Sequence, residues 1–116
     1  MIDRCRPWIE AALEYCGGTY AFEDVQERIA DGRMQLWPAD DACAVTEISV
    51  YPRRTILTCV FAGGNMDTLK KMAPAMEAWG RSQGCDGTEI YGRRGWVRAL
   101  HGLGYRESSV AVRKEL

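Results

Sequence analysis

The sequence predicts a mixed β-sheet with helices on both faces. It reads as an α/β chain (α+β mixed sheet) in the order α-α-β-β-β-α-β-α-β, a single three-layer domain over residues 1–116. Three observations carry this. The hydrophobic period changes from helical to alternating after Asp31-Gly32. Residues 55–61, TILTCVF, are almost unbroken in apolar character, as a strand covered on both faces requires. Gly63-Gly64 then end that run, a helical pattern starts at once, and a further short strand follows, which suits a right-handed crossover between parallel strands.

Each element has its own reason. Pro7 suits a first helical position, and Trp8, Ile9, Ala12, Leu13 and Cys16 follow at helical spacing until Gly17-Gly18 stop the helix. Phe22, Val25 and Ile29 mark a second short helix, with Glu23 and Asp24 favourable in its first turn and Asp31-Gly32 closing it. Residues 34–37 read as a short strand, 38–41 as a turn, and 43–51 as a strand rich in β-branched residues. Tyr51-Pro52-Arg53-Arg54 suits a hairpin turn with proline at its second position. After the apolar strand, Asn65 is a good N-cap for a helix whose apolar face is Met66, Leu69, Met72, Ala73, Met76 and Trp79, with Gly84 as its stop. Pro74 inside it removes one hydrogen bond and is expected to kink or divide the helix. Residues 88–92 form a strand, and Trp96, Leu100 and Leu103 mark a short helix. Residues 106–113 read as a last strand with Val110 and Val112 on one face.

Bulk composition narrows the function. Hydrophobic residues make up 47% and charged residues 27% of the chain, an ordinary globular mixture. The net charge of −1 argues against broad nucleic-acid binding, which needs a basic surplus. No apolar run approaches the ~20 residues that span a bilayer, and MIDRCRPWIE has no signal-peptide core, so a cytoplasmic protein is expected. Five cysteines without a CxxC pair, and the single histidine His101, make neither a disulfide framework nor a standard zinc site, so no metal is expected. Cys43 and Cys59 fall in strands and read as small apolar residues.

Two stretches invite chemistry. In FAGGNMDTL, residues 61–69, a glycine turn joins a strand to a helix N-terminus, a place that can hold phosphate. Gly63, Gly64 and Asn65 are the candidate cofactor-binding residues, although Gly-Gly also simply permits a sharp turn. Glu47 interrupts an otherwise apolar strand on the face of Val45, and is either a general base or a solvated or paired carboxylate. Arg93, Arg94, Trp96 and Arg98, with Trp37 beside Pro38, combine arginine and aromatics as partner-binding surfaces do. The alternative is a solvated charged face with both tryptophans packed inward.

The element order, the strand-loop-helix at 55–80 and TEIYGRRGWVRALHGLGY (residues 88–105), closed by Gly104-Tyr105, resemble the GCN5-related N-acetyltransferase (GNAT) fold from about residue 7 onward. The resemblance implies an Arg/Gln-x-x-Gly-x-Gly/Ala loop gripping the pyrophosphate of acetyl-CoA. Here that loop is Ala62-Gly63-Gly64-Asn65-Met66-Asp67, with no leading arginine or glutamine and with an acidic residue in the first turn. It also implies a tyrosine as general acid four residues before Gly104, where this chain has Leu100, with His101 one step round the helix. A strand before Trp8 and a strand after the one that follows Tyr105 are further family elements not read here.

The whole pattern is also similar to small GNAT-like proteins of tailed bacteriophages, some of them virion-associated. These resemblances and departures lead to the expectation of a catalytically inactive GNAT-like binding or structural protein. It would be phage-encoded, with protein partners that include virion proteins, a place in the bacterial host cytoplasm or the virion, and no cofactor. The alternative is an active N-acyltransferase that uses acetyl-CoA.

Overall fold

The computed structural model describes residues 2–92 and 95–116. Helix α1 (Ile2–Leu13) and helix α2 (Phe22–Ala30) come first. Strands β1 (Gln35–Pro38), β2 (Ala42–Val50) and β3 (Thr55–Gly64) follow as an antiparallel meander. Helix α3 (Met66–Ser82) then crosses to β4 (Gly87–Ile90), which runs parallel to β3. A last helix, α4 (Gly95–Leu100), runs into one 3₁₀ turn at His101–Leu103. The sheet order is β1-β2-β3-β4, so β4 is an edge strand.

The two faces of the sheet are buried separately. Cys43, Val45 and Phe61 pack with Cys5 and Ile9 of α1 and with Phe22 and Val25 of α2. Ala42, Ala44 and Cys59 pack on the other face against Leu69, Met72 and Met76 of α3 and Trp96 of α4. This alternation makes the three layers, because successive strand residues point to opposite sides. Polar atoms on the sheet find partners. The Trp37 indole N–H donates to Thr46 Oγ1 at 2.9 Å, and that hydroxyl donates to Gln35 Oε1 at 2.8 Å. The hairpin at 51–54 closes as expected, with Tyr51 N–H donating to the Arg54 carbonyl at 2.8 Å.

Three expectations need correction. Helix α1 begins at Ile2, so Pro7 lies inside it rather than at its first position. The helix survives because Cys5 and Ile9, one turn apart across the proline, are both buried in the core, while Pro7 itself is exposed. Helix α3 is likewise undivided through Pro74, with buried Leu69 and Gly80 holding it to the sheet on both sides. The strand expected at residues 106–113 is absent: after Gly104, in a left-handed turn at φ 87°, the chain has no regular structure. Val110 and Val112 are exposed by 71% and 96%. The alternation is present, but the segment stands off from the sheet edge it needs. The residue just before it is held, since the Tyr105 hydroxyl donates to Glu77 Oε2 of α3 at 2.9 Å.

Candidate functional site

The site is built where two parallel strands part. β3 stays paired with β2 as far as Gly64, but its register with β4 ends at Cys59 and Ile90. The last link is Tyr91 N–H to the Cys59 carbonyl at 3.1 Å. The cause is visible in the register of β2 and β3, where Val45 faces Phe61 and Thr46 faces Cys59, so Val60 is an extra residue. Such a bulge bends the strand that carries it. Among the described residues no strand pairs with the β4 side of β3 beyond Cys59, and α3 begins at Met66, directly after the end of β3.

The glycine loop sits at that end of β3. Gly64 has φ 101°, and a Cβ there would lie 2.3 Å from the Asp41 carbonyl oxygen. A Cβ on Gly63 would lie 3.0 Å from Trp8 Cβ of α1. Both glycines therefore have a packing reason. Asn65 N–H donates to the Asp41 carbonyl at 2.8 Å. Its side-chain Oδ1 accepts from Asp67 N–H at 2.9 Å and Thr68 N–H at 3.2 Å. The cap thus occupies two donors that a phosphate oxygen could take instead, by displacing one neutral side chain. The Asp67 carboxylate in the same first turn opposes an anion.

A row of polar side chains lies beside the apex of the gap. Glu47 on β2, Thr58 on β3 and Glu89 on β4 are directly opposite one another in register, so they share one sheet face. That face is the one of Val45, as the alternation of β2 indicates. Glu47 and Glu89 are half-buried, and Thr58 shares a 2.9 Å hydrogen bond with Ser49. Tyr91 follows Glu89 by two residues and lies where the strands separate. Partial burial pushes its phenol above the ordinary tyrosine value, and Tyr51, Glu89 and Glu47 add to the shift. The phenol therefore keeps its proton through the neutral range.

The sequence-predicted residues fall into three groups. Gly63, Gly64 and Asn65 lie beyond the point where β3 and β4 part, and Glu47 lies on β2, across Thr58 from Glu89. Trp37 and Trp96 belong to packing. Trp37 meets Trp79 edge-on at 5.7 Å, and Trp96 packs half-buried against the α3-side core. Arg98 is exposed on α4, and Arg93 and Arg94 lie outside the described residues. Leu100 is buried at 4% exposure and holds α4 to the core, whereas His101 is exposed. Cys43 and Cys59 are buried in opposite faces of the sheet. Burial pushes the Cys59 thiol up to about 12. Among the described residues, no three His, Cys, Asp or Glu side chains converge as metal ligands would. Sequence reasoning misses Glu89 and Tyr91. Their alternation with Thr88 and Ile90 is a usable signal, but their alignment with Glu47 depends on the parallel register.

No protein-family model and no curated protein matches the chain. Solved structures do. A protein from Thermus thermophilus, in a point-mutant form, is 13% identical with a TM-score of 0.67 over 98% of this chain and 88% of its own. A probable acetyltransferase is 11% identical with a TM-score of 0.67 over 95% of this chain and 87% of its own. An acetyltransferase from Trypanosoma brucei is 14% identical with a TM-score of 0.62 over 100% of this chain and 95% of its own. The fold is GNAT-like.

These likenesses overturn the expectation of a catalytically inactive, phage-encoded binding or structural protein. The named activity among the structures sharing this fold is acetyl transfer, and none of the three is described as a phage or virion protein. Leu100, where the resemblance implies a tyrosine, is a leucine and transfers no proton. Leu100 is a packing residue of α4, while ionisable side chains gather at the parted strands.

Proposed function

We propose that the chain is an N-acyltransferase that takes acetyl-CoA between the diverging ends of β3 and β4. The parting of the two strands at Cys59 and Tyr91, in front of the α3 N-terminus, is the observation that carries this reading. The fold likeness to acetyltransferases along nearly the whole chain supports it. The residues present suit such a group. The open edge of β3 offers backbone hydrogen bonds along a linear chain, and the first turn of α3 offers donors to phosphate. When bound, acetyl-CoA supplies a thioester carbonyl open to attack by an amine.

The chain's own residues then have separable tasks. Glu47, with Glu89 across Thr58, receives the proton that the acceptor amine must lose, directly or through one water. Tyr91, whose phenol keeps its proton and whose backbone N–H makes the last link between β4 and β3, is the candidate donor to the leaving thiolate. The Asp67 and Thr68 N–H groups, now held by Asn65 Oδ1, would be the donors that hold the pyrophosphate.

Titration calorimetry with acetyl-CoA tests the binding half. The Asn65→Asp variant keeps a good N-cap but puts a negative charge where the pyrophosphate lies. Its affinity should fall by about tenfold or more with no loss of thermal stability. Thiol release on a panel of small amines tests the chemistry, and Glu47→Gln should lower kcat by about 100-fold without weakening acetyl-CoA. Absence of binding by the native chain at millimolar acetyl-CoA would sink the proposal.

A further inference from the structure

Two thiols meet in the core between α1 and β2. Cys5 and Cys43 are fully buried and belong to one packed cluster with Ile9, Val45 and Phe61. The register of the sheet explains the meeting. Cys43 lies directly opposite Gly63. Helix α1 comes down on Gly63 so closely that a Cβ there would lie 3.0 Å from Trp8 Cβ. Cys5 precedes Trp8 by three positions and Ile9 by four, so it continues the same helix face over the sheet. The Cys43 thiol is hydrogen-bonded to Cys5. Burial first, and then that neighbour, hold the Cys43 thiol well above its ordinary value, so it keeps its proton while the core is closed. The other cysteines lie elsewhere: Cys59 on the opposite face of the sheet, Cys16 beyond the end of α1 and Cys85 beyond the end of α3.

We propose that Cys5 and Cys43 are a redox latch, which a small-molecule disulfide oxidises to an intramolecular bond that ties α1 to β2. One cysteine thiolate attacks a sulfur of the reagent and breaks its S–S bond. The second thiolate then displaces the mixed disulfide, and the reagent leaves as two thiols. Two protein S–H bonds are lost and one S–S bond forms, while two electrons and two protons pass to the reagent. From hydrogen-bonding reach the sulfurs have to close by about 2 Å to make the ~2.05 Å bond. The start of α1 is the part free to supply that movement. Pro7 has no N–H to give the Asp3 carbonyl, so the helix is held by fewer backbone bonds there than further along. Opening of that first stretch uncovers Cys5 and, beneath it, Cys43, without unfolding the sheet. The bond closes a loop from residue 5 to residue 43 that takes in α2 and β1, so it restricts the unfolded chain far more than the folded one.

The test needs no acyltransferase activity. Oxidised dithiothreitol, a cyclic disulfide that leaves no lasting adduct on a single thiol, is the probe. The native chain is incubated with it, unfolded, blocked with N-ethylmaleimide and mapped by mass spectrometry. Two of the five thiols should escape blocking, and a Cys5–Cys43 bond should join their segments within a monomer. The melting temperature should rise by about 5 °C or more, and fall back when excess reduced dithiothreitol is added. Cys5→Ala and Cys43→Ala chains should each keep all their remaining thiols. Five blocked thiols in the native chain would overturn the proposal, and so would a bond between any other pair or between two chains. A Cys5–Cys43 bond that lowers the melting temperature or leaves it unmoved would overturn it too, because such a bond does not fit the native packing.

Discussion

Glu47 shows how far a single residue can be read. Its place as a carboxylate in an apolar strand is legible, and the structure sets it half-buried in line with Thr58 and Glu89. Glu89 and Tyr91 are not legible as partners, because no local pattern states which strand pairs with which. Cys59 behaves as a packing residue, and its chemistry gives a prediction. Its thiol rises from the ordinary 9.0 to about 12 because burial disfavours the thiolate. A raised acid contributes stability that is complete below the unfolded value and is lost as pH climbs through the folded one. The native chain should therefore lose roughly 1 kcal/mol more per pH unit than Cys59→Val between about pH 9 and pH 11. Urea unfolding of both chains across that range checks this, and parallel curves would show that the thiol is not buried as described.

The helices and strands are mostly legible, because their signals are local. Asn65 reads as an N-cap and holds two backbone N–H groups. Replacing it with alanine should cost about 1 kcal/mol, read from the shift in denaturation midpoint. Pro74 reads as a break, yet α3 runs through it on the strength of its apolar face. Pro74→Ala restores a donor at an exposed position and should raise the melting temperature. A fall would mean that the ring makes a needed contact. The misread element is the last strand. Alternation in residues 106–113 states a capacity to pair, while pairing itself needs an edge at hydrogen-bonding distance.

At the scale of the molecule, two helical layers grip the four-stranded sheet of the described residues, and α1 approaches β3 closely at Gly63. There α1 lies so near β3 that a Cβ would meet Trp8 at 3.0 Å from its Cβ and 3.2 Å from its carbonyl oxygen. Gly63→Val should push α1 from the sheet and cost about 1–3 kcal/mol, with the core around Cys5 and Ile9 loosened together. Thermal denaturation with amide exchange of α1 would register both effects, and an unchanged midpoint would mean that α1 yields freely. The same glycine pair borders the proposed cofactor gap, so packing and binding draw on one loop.

Local pattern in the chain suffices for the order of the first eight elements, the hairpin turn at residues 51–54, the cap at Asn65 and the two-faced character of β3. Each depends on spacing, propensity or turn chemistry within a few residues. Four further facts appear only in the folded molecule: Val60 is a bulge, β3 and β4 part at Cys59, Glu47 and Glu89 share a row, and β4 is an edge strand among the described residues. They come from register between segments tens of residues apart, and register is settled by which faces can be buried together rather than by any one segment's own pattern.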